Sequence, residues 1–276
     1  MNRPGKLEIG PYTYYFPMSW LDFNRRELIR LFEIINRHGK TPFYNLFLIT
    51  HCLGFTRLQS WFKKRVKYLI KKTPADVKIT LVHNEEILGW LEKTKKNPMP
   101  YMLKWFWHRG RLYVGPHKRL NKLNVSEMTF AMYYYQQYHK TKNEKVAEYL
   151  IDVLYRPVSI KKLFKRVFSE NPEADIRVNL NDYMHHKRAK RFSTLKPAIK
   201  AIIIAQWAVA QGDFAKKYKM AFRGTSKQGN SRDMAKFIIG AAGDKFGTVA
   251  QAETASADKV FEYVEMQLEQ MEARKK

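Results

Sequence analysis

One stretch constrains the fold more than any other: residues 124–157, NVSEMTFAMYYYQQYHKTKNEKVAEYLIDVLYRP. Asn124 precedes Glu127 by three residues, and Thr141 precedes Glu144 by three. Each pair has the spacing of a capping box, in which the first side chain accepts from a backbone N–H and the Glu reaches back. Helices are therefore predicted to begin near Val125 and near Lys142. In the second, Val146, Ala147, Leu150, Ile151 and Leu154 recur at helical spacing and form an apolar face. Lys145, Glu148 and Asp152 take the opposite face. Pro157 disfavours helix at Arg156, so this helix should end at about Tyr155. The product is an αα-hairpin at the centre of a mainly α-helical, bundle-like chain.

The flanking sequence extends that pattern. Residues 1–23 are aromatic and interrupted by proline, which predicts an extended lead-in or short strand. Asn24 and Glu27 form another capping-box pair, followed by Leu28, Leu31, Phe32 and Ile35 on one helical face. Further helices are predicted over 42–53, 57–72 and 84–93, with a half-buried strand over 76–83. Residues 102–114 read as a β-hairpin that turns at Gly110, where glycine tolerates positive φ. Ser159 should cap a helix with Ile160, Leu163, Phe164 and Val167 turned inward and Lys161, Lys162, Lys165 and Arg166 turned out. Pro197 opens a buried helix that Gly212 should interrupt. The last helix, 256–272, carries an apolar stripe opposite Glu262, Glu265, Glu269 and Glu272. The expected organisation is a main helical domain over 1–222 with its β-hairpin near 101–114, a linker over 223–232, and a C-terminal helical segment over 233–276.

Charge narrows the classes of partner. Lysine and arginine number 51 against 25 aspartates and glutamates, a formal net charge of +26. Such an excess favours polyanions through counterion release, without sequence specificity. The basic residues cluster in acid-free tracts at 55–72, 93–122 and 185–200. The nucleic-acid-binding candidates are Arg57, Lys63, Lys64, Lys67 and Lys71 on one helical face, Arg109 and Arg111 at the hairpin, and Lys187, Arg188, Lys190 and Arg191 in HHKRAKR. Trp105, Phe106, Trp107 and Tyr113 lie between the hairpin's basic residues. They are either core or a stacking platform for single strands.

No catalytic constellation emerges. The sequence holds neither a nucleophile elbow nor a His-x-x-x-His pair, and no Walker or Rossmann loop. Its single cysteine, Cys52, excludes a disulfide framework within the chain and reads as a small core residue. His51 beside it points elsewhere on a helix. His185 and His186 are adjacent, which is poor geometry for chelation. No metal, cofactor or enzymatic activity is expected. The N-terminus lacks a signal-peptide core, and the longest apolar run, 198–210, falls short of a bilayer span. No membrane contact is expected.

A series of short motifs carries a resemblance. Ser19-Trp20 closes the aromatic lead-in, and Tyr113-Val-Gly-Pro116 closes the hairpin. Leu120-x-x-Leu-x-Val-Ser-Glu127 opens the central helix, Val153-Leu-Tyr-Arg-Pro157 leaves it, and Phe246-Gly247 precedes the terminal helix. In these the chain resembles uncharacterised proteins of tailed phages and prophages from Bacteroidetes-type bacteria, often encoded among tail or virion assembly genes. The resemblance implies a non-enzymatic structural or assembly protein, found in the host cytoplasm during assembly or in the virion. Its partners would be other phage structural or assembly proteins, with DNA and a second copy of the chain as further contacts. The alternative is a non-specific nucleic-acid-binding protein that uses its basic helical faces.

Overall fold

Capping residues set the helix boundaries. The computed structural model describes residues 5–9, 12–16, 19–38, 48, 103–116, 123–168, 175–180, 182–222 and 245–274. The expected helices over 57–72 and 84–93, most of that over 42–53, the strand over 76–83, the 223–232 linker, the first part of the C-terminal segment (233–244) and Cys52 lie outside those residues. The described residues are mostly helical, with a small three-stranded antiparallel sheet.

The chain divides into two units, Met1–Met102 with Lys196–Ile202, and Leu103–Leu195 with Ile203–Lys276. In the first, strands β1 (Gly5–Ile9) and β2 (Tyr12–Phe16) pair antiparallel, Gly5 opposite Phe16 and Ile9 opposite Tyr12. The aromatic lead-in is thus a second hairpin. Helix α1 (Arg25–His38) starts at a complete capping box. The Glu27 amide donates to Asn24 Oδ1 at 3.0 Å, and the Asn24 amide donates to Glu27 Oε2 at 2.9 Å. Leu28, Leu31 and Phe32 are buried, as their spacing predicts.

The second unit holds the αα-hairpin. Helix α2 spans Val125–Thr141 and α3 spans Glu144–Leu154. The cap between them is Asn143, whose Oδ1 accepts from the Lys145 amide at 3.0 Å. Thr141 instead ends α2, its hydroxyl donating to the Gln137 carbonyl. Tyr155 leaves helical geometry at α3's end, as Pro157 requires. Ala147, Leu150, Ile151 and Leu154 are buried.

Strands β3 (Trp105–His108) and β4 (Arg111–Val114) join through Arg109 and Gly110, both at positive φ. Two such residues in a two-residue loop are the signature of a type I′ turn, whose twist suits a hairpin. A short strand β5 (Arg156–Pro157) adds to β4. Phe106 and Tyr113 stack on the inner face at 5.5 Å, and Tyr155 and Phe192 close the cluster.

The remaining helices are α4 (Ile160–Val167), α5 (Asp182–Ala189), α6 (Pro197–Lys217), α7 (Lys219–Phe222), α8 (Val249–Thr254) and α9 (Ala257–Ala273). Helix α6 runs unbroken through Gly212. One glycine costs a helix about 1 kcal/mol relative to alanine, which the burial of Ile203, Trp207 and Phe214 outweighs. No described helix is long and apolar enough to cross a membrane.

Described residues on either side of 223–232 are in contact. The Val125 amide donates to the Ala255 carbonyl at 3.1 Å, and the Ala257 amide donates to the Leu123 carbonyl at 2.9 Å. Phe261 packs edge-on against Phe214 at 4.9 Å and stacks on Phe222 at 5.4 Å. Lys217 and Tyr218 both bond the Asp258 carboxylate, at 2.8 and 2.6 Å. These contacts join the described C-terminal residues to the unit that holds the αα-hairpin. Truncating Ile151, which is fully buried in α3, should cost about 2–5 kcal/mol as Ile151→Ala. Urea unfolding monitored by circular dichroism measures that loss.

Candidate functional site

Two buried ionic clusters organise this unit. The first begins where the Asn124 capping box is only half made. Asn124 Oδ1 accepts from the Glu127 amide at 2.7 Å, but the Glu127 side chain turns inward. It meets Arg156 at the end of α3, and Arg177 Nη2 lies 3.1 Å from its Oε2. Asp175 completes the set, accepting from Arg177 Nε at 3.0 Å and Nη2 at 2.9 Å. Arg156 and Arg177 are both about 1% exposed. Burial, with Arg177 alongside, pushes the Arg156 guanidinium down to about 10, so it remains charged at neutral pH. A buried charge of this kind is tolerated only when paired and hydrogen-bonded.

The second cluster lies between α3 and α5. Asp152 is fully buried. Arg188 grips it as a fork, with Nε to Oδ1 at 3.2 Å and Nη2 to Oδ2 at 3.0 Å. His185 Nδ1 lies 2.7 Å from the same carboxylate, and the rings of Tyr134 and Tyr149 flank the imidazole. Glu148 and Asp152 were expected on the outer face of α3. Both are buried, Asp152 against Arg188 and His185 of α5.

These clusters anchor α4. The Ser159 amide donates to the Ile176 carbonyl at 2.8 Å, and Val158 bridges to Arg177. Lys162 Nζ reaches the Arg177 carbonyl at 2.9 Å and Asn179 Oδ1 at 2.6 Å. Ser159 caps the helix as expected, its hydroxyl accepting from the Lys162 amide.

The orientation of α4 reverses the expectation. Ile160, Leu163, Phe164 and Val167 face solvent, with exposures of 70%, 40%, 59% and 68%, and Phe168 just beyond reaches 82%. Lys162 and Arg166, expected outside, are the half-buried side chains. The cause is the anchor: Lys162 is drawn back to Arg177 and Asn179, and this rotates the apolar stripe outward. Phe164 and Phe168 stack in parallel at 6.3 Å on that outer side. Lys161 and Lys165 are exposed and hold no ion pair among the described residues.

Six of the eleven sequence candidates for nucleic acid lie within the described residues, where the hairpin touches the 190–194 segment. Arg57, Lys63, Lys64, Lys67 and Lys71 lie outside the described residues. Arg111 is exposed, and Arg109 Nε donates to Thr194 Oγ1 at 3.1 Å. Lys187 and Lys190 are exposed. Arg188 turns inward onto Asp152, and Arg191 is half-buried with its carbonyl 2.7 Å from His108 Nε2, which must donate to it. Phe106 and Tyr113 are core, while Trp105 and Trp107 point outward on the other face of the hairpin. The exposed face of α4 is the feature sequence reasoning missed. Its one available signal was that a tract with four cations and no acid offered the buried carbonyl at Arg177 a lysine.

No family model, curated protein or solved structure matches the chain.

Acid should loosen the first cluster. Burial alone would raise the Asp175 carboxyl, but the hydrogen bonds and charge of Arg177, aided by Arg156, hold it below the ordinary value. A carboxyl so lowered contributes stability above its unfolded value of about 3.9, lost as pH falls through the lower folded value. Melting temperature should therefore fall more steeply below about pH 4 in the native chain than in Asp175→Asn, which starts lower at neutral pH.

Proposed function

We propose that the protein is a non-enzymatic structural or assembly component of a tailed phage, working by protein–protein docking through α4. The observation that carries this reading is the outward apolar stripe of α4, held in that attitude by Lys162. A short amphipathic helix with its apolar side in water is costly to keep unless a partner covers it. Residues at i, i+3, i+4 and i+7 are how a helix engages a groove, and Ile160, Leu163, Phe164 and Val167 have that spacing. The short motifs that resemble uncharacterised proteins of tailed phages and prophages suggest the biological setting. The carboxylates Glu127, Asp152 and Asp175 are engaged by buried or part-buried arginines, which supports a structural use for them.

A second reading, binding of single-stranded nucleic acid, is favoured by one observation. Trp105 and Trp107 are 44% and 63% exposed, in a hairpin that also carries Lys104 and Arg111 on its exposed surface. Aromatic faces beside cations stack bases and neutralise phosphates.

The two readings separate by mutation. Replacing Phe164 and Val167 together by glutamate should abolish copurification with virion or tail components. The melting temperature should hold within a few degrees, because both side chains are already in water. A native chain that copurifies with none of those components sinks the docking reading. Trp107→Ala should weaken single-stranded DNA binding by about 1–3 kcal/mol in a salt titration followed by fluorescence anisotropy. Equal binding by the variant removes the hairpin from consideration.

A further inference from the structure

Helix α9 carries a second exposed surface, opposite in charge to α4. Its inner side is fixed. Val260, Phe261 and Val264 are buried, and Glu265 accepts from the amides of Met220 and Ala221 at 2.8 Å each. Its outer side presents Glu262, Met266 and Glu269 at successive turns, all exposed, with the exposed Lys259 one turn before Glu262. Neither Glu262 nor Glu269 holds an ion pair among the described residues. Met266 is 42% exposed between them.

The two surfaces match in kind. On α4, Lys161 and Lys165 lie one turn apart along one edge of the apolar stripe, beside Phe164. On α9, Met266 sits between Glu262 and Glu269. Methionine is unbranched and polarisable, and it adapts well to an aromatic ring. The glutamates lie within reach of lysine side chains on a helix laid across them. Both surfaces are exposed in the same chain, so within one copy neither covers the other.

We propose that α4 of one copy docks on the outer face of α9 of a second copy. This rests on the docking reading above and names one occupant for it. Two different patches meeting each other make a heterologous contact, so copies join head to tail into a ring or an open chain. An eight-residue helix is only about 12 Å long. It covers less than the roughly 1,200–2,000 Å² of a stable interface. Each contact is therefore weak, and assembly depends on protein concentration and on salt.

The test is sedimentation velocity on the full-length, nuclease-treated chain over a range of concentrations. The weight-average mass should rise with concentration at about 0.1 M salt. It should fall back towards monomer at about 1 M, where the Debye length shrinks from about 10 Å to about 3 Å. Lys161→Glu with Lys165→Glu should give a monomer, and so should Glu262→Lys with Glu269→Lys. Each pair places like charges face to face. Mixing the two variants restores opposite charges at every junction, so the mixture should assemble as the native chain does. Unchanged circular dichroism and melting temperature for each variant show that the fold is retained. A native chain that stays monomeric at every concentration overturns the inference, as does a mixture that fails to assemble. Either result leaves the docking reading to the copurification experiment. Association that persists in both variants places the interface elsewhere and overturns it as well.

Discussion

Two guanidinium groups and two carboxylates set the terms for the larger unit. Arg156, Arg177, Glu127 and Asp175 come from three separate places along the chain: the end of α3, the segment after α4 that holds both Asp175 and Arg177, and the start of α2. Desolvating an ion costs several kcal/mol even after relaxation, so the buried Glu127, Arg156 and Arg177 cannot take their positions without one another, and the partly exposed Asp175 completes the set. That mutual requirement fixes the register of β5 against β4 and brings the 175–179 segment beside Val158. The attitude of α4 then follows from a single lysine reaching a carbonyl in that segment. A surface feature is thereby tied to a buried one.

The same accounting alters what the net charge means. Three of the arginines that contribute to it, Arg156, Arg177 and Arg188, are buried against carboxylates. They do not act on a distant polyanion. The cations facing water around α4 and α5 are mostly lysines. Arginine's planar fork suits buried pairs with carboxylates, whereas lysine's compact, hydrated charge suits the surface. The division of labour follows that chemistry.

How much could be read from the sequence depended on whether a signal was local. Asn24 with Glu27, Ser159, Pro157 and Gly110 act within a few residues of themselves, and each does in the structure what its spacing predicts. Helical periodicity located the stripes of α3 and α4, but it does not say which side of a helix the rest of the chain will occupy. On α3 the apolar side is buried, and of the polar side Glu148 and Asp152 are buried as well, Asp152 against Arg188 and His185 of α5, while Lys145 stays exposed. On α4 the apolar side is left out. Glu127 shows the same limit: its position as a capping residue is legible, while its partners lie 29 and 50 residues further along.

The pairing of Leu123 and Asn124 with residues 255–257 also bears on how the chain folds. Its partners are separated by more than a hundred residues, so the loop they close is long and forms late. During synthesis the αα-hairpin can form from local contacts as soon as it emerges. The entrance to α2 stays unpaired until residues 255–257 have been made. Until then the apolar surfaces of Phe214 and Tyr218 lack Phe261, and a nascent chain in that state is open to capture by a chaperone or by another chain.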